Sequence, residues 1–199
     1  MSVATPYFDQ LFADNDDPWA FRQRWYERRK RALTLALLTR PRYASVFEPG
    51  CANGELSAEL APRCDRLLSC DTASAAVALA KTRLLGFAHA HVQQARLPEQ
   101  WPAGTFDLIV LSEWCYYLDV DDLHRLIDCA LASLGDTGQL LACHWRPAIE
   151  GCPQTGEHVH ALLHQRLAMP LVASHHEHDF LLDLWSRDGT SVATLEGLR

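Results

Sequence analysis

The sequence has no apolar run near the roughly 20 residues that a helix needs to cross a bilayer. The stretch from Met1 to Asp17 is acidic and lacks the basic and apolar segments of a signal peptide, so we do not expect it to direct secretion. No two of the seven cysteines form a CxxC pair, so neither a zinc ribbon nor a disulfide framework is predicted. These absences predict a cytoplasmic protein with no membrane partner.

An overall basic surface is lacking too, since the formal net charge is −7 at pH 7. Nucleic-acid phosphates need a positive face, and we therefore expect no nucleic-acid partner. One basic run lies on a segment with helical periodicity, and it consists of Arg22, Arg24, Arg28, Arg29, Lys30 and Arg31. Its simplest interpretation is a solvated helix face, and the alternative is a cationic rim for a polar or acidic substrate.

The length of 199 residues and the 48% hydrophobic content are typical of one α/β domain. We expect a single domain over 1–199, as a monomer or weak homodimer. Its parts are a helical N-terminal cap over 1–42, a core over 43–187 and a tail over 188–199.

Strand-like runs alternate with helical patterns five times, and two further strand-like runs close the chain. The runs lie at 44–47, 66–71, 89–94, 106–112, 139–145, 169–178 and 179–187. This alternation predicts an α/β fold with a doubly wound parallel sheet and an antiparallel end. Asp17 and Pro18 predict the start of a helix that ends near Thr39. Its aromatic residues are expected to be packing residues, and the alternative is that some of them line a ligand pocket; they are Trp19, Phe21, Trp25 and Tyr26. Asp121 is the predicted cap of a helix to about Leu134, followed by a turn over 135–138.

A turn rich in small residues follows the first strand, in the order Glu48-Pro49-Gly50-Cys51-Ala52-Asn53-Gly54. Gly50 and Gly54 permit backbone conformations closed to other residues and let a ligand approach the main chain. Asp71 ends the second strand, where a carboxylate can accept both hydroxyls of a ribose. The pattern predicts a nucleotide site, and a simple strand-to-helix turn is the alternative.

Two acids in this region disfavour a dinucleotide ligand and a nucleotide-dependent reductase. The dinucleotide fingerprint needs a small sixth residue, where this sequence has Glu55. Glu48 lies two residues before the first glycine, and its carboxylate would repel a diphosphate but suits a cation. The turn resembles motif I of the class I S-adenosylmethionine-dependent methyltransferases, whose cofactor carries a sulfonium and an amino acid instead of phosphates.

Ligands of doubly wound sheets bind beyond the carboxyl ends of the strands. This rule and the resemblance select as cofactor-binding residues Glu48, Gly50, Cys51, Ala52, Gly54, Asp71, Thr72, Arg96, Leu97, Ser112 and Glu113. They select as substrate-binding residues Trp114, Tyr116, Tyr117, Trp145 and Arg146. Methyltransferases often have an adenine-binding aspartate where Arg96 stands, so we expect the backbone of Ala95 or Leu97 to contact the adenine.

Separated blocks of the chain resemble the nodulation protein S (NodS) family. They are Asp17-Pro18-Trp19, Trp25-Tyr26-Glu27-Arg28, Phe47 to Gly54, Leu111-Ser112-Glu113, Tyr116-Tyr117-Leu118 and His144-Trp145-Arg146. The resemblance implies a three-layer, Rossmann-like, seven-stranded sheet and S-adenosylmethionine as cofactor, with S-adenosylhomocysteine as product. It implies methylation of the free amine of a small amino sugar, as on a deacetylated chitin oligosaccharide. The alternatives are O- or N-methylation of another small metabolite, and a non-catalytic subunit that binds the cofactor.

Two residues are predicted to be catalytic, because an amine must be neutral to attack a methyl group and a proton acceptor helps. Glu113 and His144 end adjacent central strands, and we expect both to face the methyl group. Glu113 would position or deprotonate the amine, and His144 would act as a second base or bind a sugar hydroxyl. The alternatives are a helix cap or salt bridge for Glu113 and a structural histidine for His144.

Six other histidines fall late in the chain, at His158, His160, His164, His175, His176 and His178. His160 and His164 share a helix face, and His176 and His178 share a strand face. Acids and cysteines at ligand spacing are missing beside them, so we predict no functional metal site.

Overall fold

Seven strands form one sheet in the computed structural model, which describes residues 1–199. They are β1 (Val46–Pro49), β2 (Leu67–Asp71), β3 (Ala90–Gln94), β4 (Phe106–Ser112), β5 (Leu134–Trp145), β6 (Leu171–His176) and β7 (Phe180–Ser186). Their order across the sheet is β3-β2-β1-β4-β5-β7-β6. Neighbouring strands from β3 to β5 are parallel, whereas β7 is antiparallel to both β5 and β6. The predicted seven-stranded α/β sheet with an antiparallel last strand is confirmed.

Helices cover both faces of this sheet. They are α1 (Thr5–Asp14), α2 (Trp25–Leu37), α3 (Glu55–Leu60), α4 (Ser74–Arg83), α5 (Val120–Ser133), α6 (Gly156–Leu167) and α7 (Val192–Leu195). Successive side chains of a strand point to opposite faces, so Leu108 and Ile109 belong to separate hydrophobic clusters. One cluster lies on the side of α5 and α6, and the other includes residues of α3. The three predicted layers are therefore confirmed, and none of the helices combines the length and apolar character that a membrane crossing requires.

The strand order reverses between β1 and β4, which are neighbours in the sheet. Connections on either side of this point run to opposite faces, so a crevice opens beyond the carboxyl ends of these strands. The fold itself therefore places a ligand site at the glycine turn after β1 and the residues after β4.

The N-terminal helical region differs from the prediction. The long helix α2 begins at Trp25, because Ala20 has a φ of 58°, a left-handed conformation that interrupts an α-helix. Asp17 instead accepts hydrogen bonds from the N–H groups of Phe21 and Arg22, and so closes a turn. Trp25 is 69% exposed and is not a packing residue. The helix α1 was not predicted.

Two boundaries near the end of the parallel sheet were also wrong. Asp119, and not Asp121, caps α5, because its side chain accepts a hydrogen bond from the N–H of Asp122. The predicted turn over 135–138 lies inside β5, where Leu134 already pairs with Phe106 before the register shifts.

Candidate active site

A cavity of about 580 Å³ lies beyond the carboxyl ends of the strands. Its sheet-side wall is formed by residues that end or follow β1 to β5, among them Gly50, Ala52, Asp71, Thr72, Ala95, Arg96, Leu97, Ser112, Glu113, Trp114, Tyr116, Tyr117 and Trp145. The other wall comes from the segment before β1, including Ser2, Val3, Thr5, Phe8, Phe12, Trp19, Arg24, Tyr26, Glu27 and Lys30. The cavity therefore joins a cofactor-type wall to a second wall that only the N-terminal region supplies.

The glycine turn after β1 adopts left-handed backbone conformations, with a φ of +71° at Gly50, 48° at Ala52 and +82° at Gly54. A Cβ at Gly50 would lie 2.7 Å from Cγ of Trp114, and a Cβ at Gly54 would lie 2.9 Å from Cα of Ala80. Both glycines are thus required by conformation and by close packing. The turn presents its main chain, at Gly50 and Ala52, to the cavity.

Asp71 ends β2 and fixes the glycine turn from the side. Its carboxylate accepts hydrogen bonds from the N–H of Ala52 at 2.9 Å and from the N–H of Ala73 at 3.0 Å. Burial raises the pKa of Asp71, although these backbone hydrogen bonds oppose the rise. A carboxylate has about four acceptor sites, so Asp71 keeps sites on the cavity wall that could accept ribose hydroxyls.

Glu48 does not line this cavity, although it was predicted to bind the cofactor. Its side chain is buried, where it accepts hydrogen bonds from the hydroxyls of Ser57 and Ser69. Burial raises the pKa of Glu48 to about 7. Its carboxylate therefore joins β1 to α3 and β2, and does not face a ligand in the large cavity.

Three other predicted cofactor residues lie apart from the cavity or face it only in part. Cys51 lines, with Glu48, a smaller cavity of about 50 Å³ that also contacts Gly50. Gly54 is the N-cap of α3. The Arg96 side chain is 62% exposed, and its Nε lies 3.9 Å from Oε2 of Glu99. Arg96 therefore contributes no buried charge to the cavity wall.

A buried ion-pair cluster, here called the cavity cluster, consists of Glu27, Lys30 and Glu113. Nζ of Lys30 lies 2.6 Å from Oε1 of Glu113 and 3.1 Å from Oε2 of Glu27. The hydroxyl of Tyr116 and the N–H of Trp145 donate to Oε2 of Glu113, at 3.0 and 2.9 Å. Glu113 has a φ of 62°, a strained conformation that is often found at functional sites. With all three groups ionised, two carboxylates face one ammonium and the cluster carries one net negative charge.

The electrostatics of the cavity cluster keep Lys30 charged. Burial lowers its pKa, but the carboxylates of Glu113 and Glu27 outweigh this effect and raise the pKa above its ordinary value. Burial raises the pKa of Glu27, while Lys30 opposes the rise. The basic run on α2 is therefore not wholly a solvated face, because Lys30 and Arg31 are buried. Arg24 lines the cavity, as the alternative interpretation of this run predicts.

His144 is fully buried and does not line the cavity, so the expectation that it faces a methyl group is wrong. Its Nδ1 lies 3.1 Å from Nε2 of His160, and Nδ1 of His160 lies 2.7 Å from Oδ2 of Asp183. Side chains alternate along β5, so Trp145 faces the cavity and His144 faces α6. We call His144, His160 and Asp183 the closed cluster.

Asp183 contacts three of the six late histidines, His160, His164 and His176. Its carboxylate is also 3.2 Å from Nε2 of His164, 2.9 Å from Nε2 of His176 and 2.7 Å from the hydroxyl of Ser174. Burial raises the pKa of Asp183, but hydrogen bonds from His160 and Ser174 outweigh it and leave the pKa below its ordinary value. Burial lowers the pKa of His144, which is therefore neutral. The closed cluster is held together by hydrogen bonds within the fold.

The predicted substrate residues divide into two groups. Trp114, Tyr116, Tyr117 and Trp145 line the cavity. Arg146 does not, because its Nε contacts Oε1 of Glu157 and its Nη1 donates to the backbone carbonyl of Glu177, both at 2.6 Å.

Glu27 and Lys30 were not predicted as site residues, whereas Tyr26 lies in the cavity wall, as the alternative interpretation of the helix aromatics predicts. The Tyr26 hydroxyl and the Trp114 indole N–H are buried without a hydrogen-bond partner, and both side chains line the cavity. A signal was present, because Glu27, Lys30, Arg31 and Thr34 recur at helical spacing and form the buried face of α2.

Comparisons with known proteins identify a family and solved structures with a similar fold. The family model described as nodulation protein S (NodS) matches residues 9–169. The N-methyltransferase NodS from Bradyrhizobium japonicum WM9, solved with S-adenosylhomocysteine, has a TM-score of 0.83 at 27% identity and covers 92% of this chain and 97% of its own. A putative methyltransferase from Pseudomonas syringae is 66% identical with a TM-score of 0.75, over 82% of this chain and all of its own.

Nodulation proteins are also similar to this chain in sequence. Nodulation protein S from Rhizobium tropici is 32% identical over 128 residues, which are 63% of this chain and 54% of that protein. This chain thus spans about half the length of that relative. The family model, in contrast, matches well over half of this chain. The chain belongs to the nodulation protein S family.

Proposed function

We propose that this chain is an S-adenosylmethionine-dependent N-methyltransferase whose acceptor is the free amine of a small amino sugar. The observation that carries the proposal is the cavity itself, which is lined both by the glycine turn and Asp71 and by the three residues of the cavity cluster. Such a site suits a nucleoside ligand at one end and a cationic amine at the other. Family membership and the fold shared with an S-adenosylhomocysteine-bound NodS support it.

The residues present fit S-adenosylmethionine, on two observations. Asp71 keeps free acceptor sites beside the open main chain of Gly50 and Ala52, and the buried N–H of Trp114 has no partner. Asp71 and Thr72 would bind the ribose, and the main chain of Ala95, Arg96 and Leu97 would contact the adenine. Ser112 and Glu113 would complete the pocket. When bound, the cofactor supplies an electrophilic methyl group on a sulfonium.

The residues of this chain hold and orient the acceptor. Positioning a nucleophile in line with a methyl group supplies much of the acceleration of such a reaction. The net negative charge of the cavity cluster attracts an ammonium, and Glu113 retains an acceptor site that can orient the nitrogen. Tyr117 and Trp145 present aromatic surface on which a sugar face can pack.

The N-terminal segment covers one side of this site. The N–H of Val3 donates to the carbonyl of Tyr117 at 2.8 Å, and the hydroxyls of Thr5 and Thr72 are 2.8 Å apart. These contacts attach the segment to the loops after β2 and β4.

The expected cytoplasmic location remains a prediction. The expected monomeric or weakly dimeric state also remains a prediction, and light scattering would test it.

The test is calorimetric titration with S-adenosylhomocysteine, followed by turnover with glucosamine and short deacetylated chitin oligomers. We expect micromolar binding and one added methyl on the amine, detected by mass spectrometry. N-acetylated oligomers, whose amine is blocked, are the matched control and should remain unmodified. Methylation of the acetylated control would indicate O-methylation instead.

Other outcomes would replace parts of the proposal. Binding without methylation of any amino sugar would direct the search to another small metabolite or to a non-catalytic subunit. Failure to bind S-adenosylhomocysteine would contradict the assignment of the cavity to this cofactor.

A further inference from the structure

The two carboxylates of the cavity cluster differ in how many acceptor sites they have left. Glu113 accepts from Lys30, from the hydroxyl of Tyr116 and from the N–H of Trp145, which fill three of its roughly four sites. Glu27 accepts a hydrogen bond from Lys30 alone, whose Nζ is 3.3 Å from Oε1. Both carboxylates line the cavity. The acceptor capacity that remains for a ligand is therefore mainly on Glu27.

The other ionisable groups beside Lys30 and Glu113 are unsuited to accept a proton, and the remaining carboxylates of the cavity wall, Asp71, Asp122 and Asp179, make no contact with the cluster. Lys30 is already charged, since the two carboxylates raise its pKa. Burial raises the pKa of Tyr26 and of Tyr116, so both phenols stay protonated. His144 does not reach the cavity.

A second observation indicates a ligand at this position. The hydroxyl of Tyr26, one residue before Glu27, is buried without a partner, and the Tyr26 ring lines the cavity with its centroid 5.0 Å from Nζ of Lys30. A buried hydroxyl without a partner costs free energy that a bound polar group would recover. An amino sugar carries such groups beside its amine.

We propose that Glu27 takes the proton of the acceptor ammonium, while Lys30 fixes Glu113 as the carboxylate that positions the nitrogen. The proposal rests on the N-methyltransferase function. In this step an N–H bond of the ammonium breaks, its electron pair stays on nitrogen, and the proton forms an O–H bond on Glu27. A neutral amine remains in the cavity with its lone pair free, and Glu27 later returns the proton to water.

The charges around Glu27 agree with this role. Burial raises its pKa, Glu113 adds to the rise, and Lys30 and Arg31 of the same helix oppose it. From β5, the thiol of Cys143 also faces the cluster, and burial keeps it protonated by raising its pKa. A carboxylate with a raised pKa is closer in basicity to an amine, and this eases the transfer.

The first test compares Glu27→Gln, Glu113→Gln and Glu59→Gln over a range of pH. Glu59 is the matched control. Its Oε1 lies 2.8 Å from Nε of Arg31, which is on α2 like Glu27, but Glu59 lies outside the cavity. We expect Glu27→Gln to lower kcat about 10²-fold at neutral pH and to abolish the acidic limb of the kcat profile. Glu113→Gln should lower kcat but keep that limb, and Glu59→Gln should change neither.

The second test does not depend on turnover. A deacetylated chitin dimer and its N-acetylated counterpart are titrated calorimetrically into the S-adenosylhomocysteine complex of each variant. Glu27→Gln should weaken binding of the cationic dimer at least about tenfold and leave the neutral dimer unaffected. Unchanged affinity for S-adenosylhomocysteine would show that the variant is folded.

The outcomes separate this inference from the function on which it rests. An acidic limb and cationic-dimer affinity retained in Glu27→Gln would overturn the role of Glu27, while turnover by the wild type would preserve the function. A wild type that binds the cofactor product but methylates no amine would overturn both.

Discussion

Two buried clusters of ionisable side chains lie near the end of β5. They differ in whether their unfilled hydrogen-bond acceptor sites open into the cavity. The cavity cluster has unfilled acceptor sites on Glu27 and lies on the cavity wall. The closed cluster is enclosed by the fold, and its central carboxylate, Asp183, already contacts His160, His164, His176 and Ser174. Both clusters contain groups with strongly shifted pKa values. Burial and a shifted pKa therefore do not identify a catalytic group unless its acceptor sites open into a cavity.

Neighbouring residues of one strand belong to different clusters. The N–H of Trp145 donates to Glu113 in the cavity cluster, whereas the ring of His144 contacts His160 in the closed cluster. Side chains alternate along β5, so the ring of His144 points away from the cavity that the Trp145 side chain lines, while the contact with Glu113 is made by the Trp145 backbone. The two clusters can therefore be perturbed separately.

The largest effect is expected from Lys30→Met, which removes the only cation of the cavity cluster. Two buried carboxylates would then lack their partner, and the free energy of unfolding should fall by about 3–5 kcal/mol. The loss should grow as pH rises, because burial raises the pKa of Glu27 and the folded variant then favours the protonated acid. Urea unfolding at several pH values measures this. Lys81→Met, at an exposed lysine of α4, is the control.

A loss below about 1 kcal/mol in Lys30→Met would contradict the ion-pair cluster. Turnover of any folded fraction should also be low, since Glu113 would lose the group that fixes it.

The next effect is expected from Asp183→Asn, which breaks the closed cluster. An amide cannot replace the charged acceptor of His160 and Ser174, and the free energy of unfolding should fall by about 2 kcal/mol. Turnover per folded molecule should be unchanged, because Asp183 does not line the cavity. Asp128→Asn, whose carboxylate is 61% exposed and pairs with Arg166, is the control for losing a surface acid. A large fall in kcat would make the closed cluster part of the catalytic machinery.

The sheet could be predicted from the sequence because its signals are local. Short apolar runs alternate with helical patterns, and this fixes the strand number and the antiparallel end at β7. The glycine turn was found for the same reason, since Gly50, Gly54 and Asp71 carry a spacing that few other sites share. Predicting these features does not require knowing which face of a helix or strand is buried.

The second wall of the cavity could not be predicted, because it depends on packing. The helix α2 exposes Trp25 and buries Glu27 and Lys30, which inverts the usual relation of polarity and burial. A buried lysine is favourable here because Glu113, which follows β4, approaches it in addition to Glu27 of the same helix. Similarly, the rule for strand ends placed His144 at the correct edge of the sheet but could not choose its face.

A smaller effect, visible mainly in its pH dependence, is expected from His144→Phe. Burial lowers the pKa of His144 in the folded state, so the unfolded chain binds the proton more readily below its pKa of about 6.5. Wild-type stability should therefore fall below that pH, by at most about 1.4 kcal/mol per pH unit from this residue. His144→Phe should lose this dependence and keep its kcat, as measured by urea unfolding and turnover from pH 5 to 8.

The control for His144→Phe is His178→Phe, at an exposed histidine. If His144→Phe lowered kcat about 10²-fold while remaining folded, the residue would be a base after all and the two clusters would be one functional unit.

The smallest effect is expected from Arg146→Ala, at the residue that follows Trp145. Its side chain is 36% exposed and pairs with Glu157, which is 53% exposed, so solvent screens the ion pair. The free energy of unfolding should fall by at most about 1 kcal/mol, and KM for the amine should not change. Trp145→Ala is the contrasting variant, because Trp145 lines the cavity and its loss should raise KM. If Arg146→Ala raised KM as much as Trp145→Ala did, the surface at the end of β5 would contact substrate, and the boundary between cavity and surface would need to be redrawn there.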